Sequence, residues 1–144
     1  MPTPVEFGTQ QDAAQVERAL LAALRARQTQ GHNSDLTLVV RSPANPSTVQ
    51  AGLTGSTAYG WLLIKTLWVD ATQRGRGIGG ALMDAAECEA RARGCHAAWL
   101  DTSNPDARRF YERRGYAVFG ELANGPAAHP SDHVRWFLSK PLTD

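Results

Sequence analysis

Two clusters of residues in this 144-residue chain have the types and spacing to do chemistry. The first is Arg74-Gly75-Arg76-Gly77-Ile78-Gly79-Gly80. A glycine-rich turn that opens a helix exposes several backbone N–H groups. With no side chains at Gly77 and Gly79, an anion can approach that backbone closely. The chemistry expected is phosphate or pyrophosphate binding, with Arg74 and Arg76 adding charge. Arg suits phosphate geometry better than Lys, and 13 of the 15 cationic side chains are Arg. The second cluster is Asn104, Ala107 and Tyr111. Their spacing of i, i+3 and i+7 puts all three on one helix face.

Two phosphate-binding patterns fit the glycine run. One is the dinucleotide fingerprint GxGxxG, met by Gly75, Gly77 and Gly80, with Asp101 ending the next strand. Against it, the residues DATQR separate Val69 from Gly75, whereas a dinucleotide turn follows its strand almost directly. The chain after Asp101 also reads as one helix plus a hairpin, too little for a doubly wound sheet. A P-loop is excluded because no GK[ST] follows the glycines. The other pattern is R/Q-x-x-G-x-G/A, met by Arg74, Gly77 and Gly79.

The elements that must position these residues follow from punctuation and periodicity. Val5 to Phe7 reads as a short strand. Thr9, with Asp12 three residues on, caps an amphipathic helix over 10–30 carrying Val16, Leu20, Leu21 and Leu24. Strands are expected at 35–41, weakly at 48–60, and at 61–69, whose near-continuous apolar run WLLIKTLWV implies burial on both faces. The helix after the glycines turns Ile78, Leu82, Ala85, Ala86 and Ala90 inward and stops at Gly94. Residues 96–102 form a second central strand. Asn104-Pro105-Asp106 starts a helix that ends at Gly115, with Asn as cap and Pro at the first position. Strands at 116–122 and 133–139 complete a mixed α/β sheet, the last two antiparallel, with a βαβ unit at its centre.

A second motif joins the first. Asn104-x-x-Ala107-x-x-Phe110-Tyr111-x-x-x-Gly115-Tyr116 resembles the N-x-x-A-x-x-F-Y-x-x-x-G-F/Y element of the GNAT superfamily of N-acetyltransferases. Arg74-x-x-Gly77-x-Gly79 resembles the coenzyme A signature of the same superfamily, and the two occur in the right order. The resemblance covers nearly the whole chain, least specifically in its first third. It implies a single GNAT domain over 1–144: α/β, a mostly antiparallel mixed sheet, and strands that splay apart to bind coenzyme A.

By that resemblance the diphosphate of acetyl-CoA rests on the amides of Gly75 to Gly80, Ile78 included. A bulge near Leu67 and Val69 offers amides to the pantetheine arm and the thioester carbonyl. Asn104 and Ala107 line the coenzyme from the other side, and Tyr111 is the general acid. Phe110, turned about 100° away on the helix, is expected in the core. The reaction implied is direct attack of a primary amine on the thioester. The base stays open among Asp70, Glu121, His133 and water. A non-catalytic coenzyme A-binding module on the same fold is the alternative.

Composition sets the outer limits. The chain is 42% hydrophobic and 20% charged, with net charge +1. That argues against disorder and against a broad basic surface for nucleic acid. No apolar run reaches the ~20 residues of a membrane helix, and the N-terminus lacks a secretory pattern, so a cytoplasmic location is expected. Cys88 and Cys95 make no disulfide framework. The four histidines show no metal-ligand spacing. The acceptor is expected to be a small-molecule amine rather than a polycation, because 51–60 and 123–131 carry no acidic side chain. The sequence leaves open whether a homodimer forms.

Overall fold

The computed structural model describes residues 2–27 and 34–143. The chain divides into two compact units, residues 1–31 and 32–144, each taken by itself. In the first, residues 2–9 have no regular structure, so the expected strand at 5–7 is absent. Three residues with no sheet partner cannot hold an extended ladder. Helix α1 spans Gln10–Arg27. It opens with a reciprocal cap: the Asp12 N–H donates to Thr9 Oγ1 at 3.2 Å, and the Thr9 N–H donates to Asp12 Oδ2 at 2.8 Å. The Thr9 N–H and the Thr9 hydroxyl, both donating to Asp12 Oδ2, hold the carboxyl below the usual carboxylate range. The expected end of this helix, at 28–31, lies outside the described residues.

The second unit is one six-stranded sheet with two helices. Strands β1 (Ser34–Arg41), β2 (Val49–Ala58) and β3 (Trp61–Val69) form an antiparallel meander. A short 3-10 turn at Ala71–Gln73 leads to α2 (Ile78–Ala92), then β4 (Ala97–Thr102) and α3 (Pro105–Arg113). Strands β5 (Ala117–Ala123) and β6 (Val134–Pro141) finish the chain. The spatial order is β1-β2-β3-β4-β6-β5, and only β3 and β4 run parallel. The crossover through α2 is the expected central βαβ unit. Residues 48–60, expected as a weak strand, hold a ten-residue strand.

The core lies between the sheet and α2. Leu53, Leu62, Met83, Leu100 and Leu138 are fully buried there, each contributing about 1.5–3 kcal/mol. Helix α2 buries Leu82, Met83, Ala86, Glu87 and Ala90. Ala85, expected inward, is exposed. An alanine carries little phase information, and Met83 and Glu87 take the inner positions instead.

Strand β3 departs from the expected burial on both faces. Leu62 and Ile64 are buried, but Trp61 and Trp68 are exposed. The cause is that only one face of the strand meets the core: Leu62, Ile64, Leu67 and Val69 pack into or against it, while Trp61 and Trp68 lie on the other face. The β3–β4 ladder pairs only Trp61, Leu62 and Leu63 with Ala97, Ala98 and Trp99. Beyond that the two strands carry no ladder between them, and the second half of β3 has a partner on one edge only. On the β2 side, Thr54 pairs with Thr66 and Gly55 with Ile64, so Lys65 is the extra residue of a bulge. Gly55 is required there, because any Cβ would fall inside the Leu63 carbonyl oxygen.

Candidate active site

The open half of β3 presents unpaired backbone. The Asp70 N–H bonds to the Gln50 carbonyl on β2 at 2.8 Å. Backbone groups alternate sides along a strand, so Thr66, Trp68 and Asp70 face β2, whereas Leu67 and Val69 face away from it. They face the edge where β4 no longer pairs. The Val69 carbonyl confirms the phase, since it accepts the Arg74 Nε–H at 3.3 Å. The bulge itself sits at Lys65, two residues before the expected position near Leu67. A bulge resets the alternation of the residues after it. So the amides aimed at the gap are still those of Leu67 and Val69.

At the end of β3 the chain enters the glycine turn. Gly75 and Gly77 have φ of +78° and +75°, backbone that side chains rarely tolerate. Nothing lies within 4 Å of where their Cβ atoms would be. Gly77 is the N-cap of α2 and has no side-chain cap. The first-turn N–H groups of Ile78, Gly79 and Gly80 therefore point outward without a side-chain partner, where the helix dipole adds partial positive charge.

Helix α3 closes the other side. The Asp106 and Ala107 N–H groups donate to Asn104 Oδ1 at 2.9 and 3.4 Å, and Pro105 takes the first helical position. The i, i+3, i+7 spacing brings Asn104, Ala107 and Tyr111 to one cleft of about 470 Å³. Leu67, Val69 and Arg74 line the same cleft, as do Gly75, Gly77, Ile78, Gly79 and Gly80. Of the residues that the sequence assigns to the coenzyme or to the general acid, only Arg76 is not in its lining; it is exposed, and its Nη1 donates to Gln73 Oε1 at 3.3 Å.

Three residues join the lining that spacing did not suggest: Trp68, Gln73 and Asp106. Phe110, expected in the core, both packs against the core and lines the cleft, 3.5 Å from a Cβ built on Gly79. Its signal was present in the sequence, since at i+3 from Ala107 it stands about 60° from the edge of the lining face.

Tyr111 is 8% exposed, with rings edge-on at 5.2 Å (Phe110) and 5.9 Å (Tyr116). Burial pushes its phenol above the ordinary value of 10.0. Its hydroxyl has no hydrogen-bond partner among the described residues, yet it is not a sealed, unsatisfied atom. It therefore opens onto the cleft it lines. The candidate bases lie elsewhere or are engaged. Asp70 caps the 3-10 turn, accepting the Thr72 N–H at 3.2 Å and the Thr72 hydroxyl, and these bonds hold its carboxyl low. Glu121 is exposed on β5. The His133 ring nitrogen Nε2 lies 3.4 Å from Ser103 Oγ.

A family model for the acetyltransferase (GNAT) family matches residues 17–116. The chain belongs to the GNAT family. It is 43% identical over 113 residues to acetyltransferase Atu2258 of Agrobacterium fabrum, covering 76% of this chain and 81% of that protein. A crystal structure of a protein described as an acetyltransferase, from Agrobacterium tumefaciens, superposes with a TM-score of 0.81 at 38% identity, covering 98% and 99% of the two chains. The blasticidin-S acetyltransferase of Streptomyces morookaense is 38% identical over 76 residues, about half of each chain (52% and 56%). The mixed sheet with its parallel β3–β4 pair is the expected GNAT architecture, and the protein is an acetyltransferase of GNAT type. Among the described residues there is no cluster of three potential metal ligands, and no helix is long and apolar enough to cross a membrane.

Proposed function

We propose that residues 1–144 act as one N-acetyltransferase domain that moves an acetyl group from acetyl-CoA to a primary amine of a small molecule. The observation that carries the reading is the unpaired edge of β3, whose Leu67 and Val69 amides face the cleft that α2 opens with uncapped N–H groups and Tyr111 closes. Unpaired polar backbone is costly unless something completes it. A long ligand with a diphosphate at one end and a carbonyl at the other completes both sets. Acetyl-CoA is such a ligand and supplies the activated thioester.

In this reading the amides of Gly75 to Gly80 hold the diphosphate. The Arg74 guanidinium adds charge while its Nε–H stays on Val69. The Leu67 and Val69 N–H groups donate to the thioester oxygen, more strongly as negative charge develops on it. The amine nitrogen forms a bond to the acetyl carbon, the carbon–sulfur bond breaks, and the thiolate departs toward Tyr111. An ordinary phenol is already about 1.5 pK units weaker as an acid than a thiol. Burial widens that gap for Tyr111, which favours hydrogen-bond donation to the departing sulfur over complete proton transfer. With Asp70 engaged by Thr72, the proton lost by the amine passes to water.

A small acceptor is supported by the lack of acidic side chains in 51–60 and 123–131, and by the likeness to an acetyltransferase named for the antibiotic blasticidin-S. The test combines binding with turnover. Acetyl-CoA at a hundred times its Kd should add about 2.7 kcal/mol, a rise of several degrees in melting temperature, and NAD should add none. Thiol release with an amine panel should then fall about a hundredfold in kcat for Tyr111→Phe, the lower end of general-acid effects, with acetyl-CoA affinity little changed. Stabilisation by NAD alone would overturn the reading. Tight acetyl-CoA binding without turnover on any amine would leave only the coenzyme-binding module.

A further inference from the structure

The inner face of α2 carries one charged side chain. Glu87 is 2% exposed, and its two carboxylate oxygens are both engaged. Oε1 accepts the Lys140 ammonium at 2.6 Å, and Oε2 accepts the Tyr116 hydroxyl at 3.0 Å. The same ammonium lies 5.6 Å from the centre of the Tyr116 ring. The three residues come from α2, β6 and the turn after α3, so the Tyr116 ring is held from two other elements at once. What it touches on its remaining side is Tyr111: the Tyr116 N–H donates to the Tyr111 carbonyl at 3.0 Å, and the two rings meet edge-on at 67°.

We infer that the Glu87–Lys140–Tyr116 cluster positions Tyr111, fixing where its hydroxyl points into the cleft. The inference rests on the acetyltransferase reading above. The Tyr111 hydroxyl has no partner of its own among the described residues, so its direction is set by how the ring is packed. Two rings pack on it. Phe110 is the adjacent residue and lines the open cleft, which leaves Tyr116 as the ring anchored on its far side. A buried ion pair adds little net stability over an apolar filling of equal volume. What it does provide is direction, through hydrogen bonds of fixed geometry, and a reacting group needs its supporting neighbours locked in that way. Glu87, Lys140 and Tyr116 touch no reacting atom in this scheme; they are positioning residues.

A double-mutant cycle separates this role from a purely structural one. Tyr116→Phe, alone and combined with Tyr111→Phe, is assayed for kcat, for the KM of acetyl-CoA and for melting temperature. Alone it should lower kcat about tenfold, less than the ~10²-fold that a 1 Å misplacement can cost, with the KM within about twofold. On the Tyr111→Phe background the kcat loss should vanish while the drop in melting temperature persists. A second pair keeps the test independent of one variant. Glu87→Gln retains an oxygen for the Tyr116 hydroxyl and should lose less kcat than Glu87→Met. Equal kcat losses in both backgrounds, or a Tyr116→Phe enzyme as fast as the unmodified chain, would overturn the positioning role. No thiol release from the unmodified chain with any amine would instead remove the acetyltransferase reading beneath it.

Discussion

Helices α2 and α3 begin at the same cleft and begin differently. The N-terminus of α3 is complete within the chain: Asn104 accepts two first-turn N–H groups, Pro105 removes a third, and Asp106 lies along the dipole. The N-terminus of α2 is open. Its cap is a glycine in left-handed backbone with no side chain to offer. A glycine cap costs only about a few tenths of a kcal/mol relative to an asparagine, so α2 is left open at small cost in stability. The contrast teaches that a cleft can be built from one helix start that is finished by its own sequence and one left for a ligand to finish.

The largest expected effect comes from closing the open end. Gly79 has ordinary backbone, and a Cβ there meets Phe110 and Val69 at 3.5 and 3.9 Å, normal contact distances. Gly79→Glu should therefore fold. Its carboxylate would sit beside the first-turn amides and repel a diphosphate. Acetyl-CoA affinity measured by calorimetry should fall more than about a hundredfold, or about 2.7 kcal/mol. Unchanged affinity in the folded variant would detach the α2 terminus from the coenzyme.

Opening the closed end should do less, and to a different quantity. Asn104→Ala removes the α3 cap and should cost about 1 kcal/mol of stability, seen as a melting temperature lower by a few degrees. Its effect on acetyl-CoA affinity should be smaller than that of Gly79→Glu. If affinity drops as far with stability intact, the two helix starts are not different in kind.

The smallest effect concerns the far end of α3. Tyr111 and Tyr116 both have phenols raised by burial, Tyr116 further by the Glu87 carboxylate. A group raised on folding contributes stability that is whole below its unfolded value, near 10.0, and is lost as pH climbs through the folded value. These two tyrosines should leave urea midpoints flat between pH 7 and 9 and lower them above about pH 10. Tyr116→Phe should make that alkaline decline shallower; an equally steep decline would assign it to other groups.

The fold around the cleft was readable where the chain is punctuated. Glycines and the Asn-Pro-Asp start bound α2 and α3, and the apolar run gave β3 its limits at Trp61 and Val69. The unreadable parts are those set by partners. The bulge at Lys65 is a property of register between two strands, and nothing in WLLIKTLWV marks it. The half-exposure of β3 depends on which face of the sheet the core covers, and that is a matter of the whole fold. Val5 to Phe7 has strand-like residues but no neighbour to pair with. Glu87 was within reach: Met83, Glu87 and Ala90 share the i, i+4, i+7 spacing of a buried face, and a carboxylate on that face implies a cation elsewhere. Which cation it is, fifty-three residues on, only the fold decides.

The short β3–β4 ladder has a consequence for the clock of solvent exchange. The Leu67 and Val69 amides have no acceptor among the described residues and lie on a stretch of strand whose other side is paired with β2. In deuterated water they should label within the first moments, while Thr66, Trp68 and Asp70, interleaved with them on the same strand, stay protonated far longer. An alternation of slow and fast amides along the five residues 66–70 is a signature no frayed strand produces. Filling the gap would slow Leu67 and Val69 and leave Thr66, Trp68 and Asp70 as they were, so two backbone protons of this strand report directly on whether the cleft is occupied.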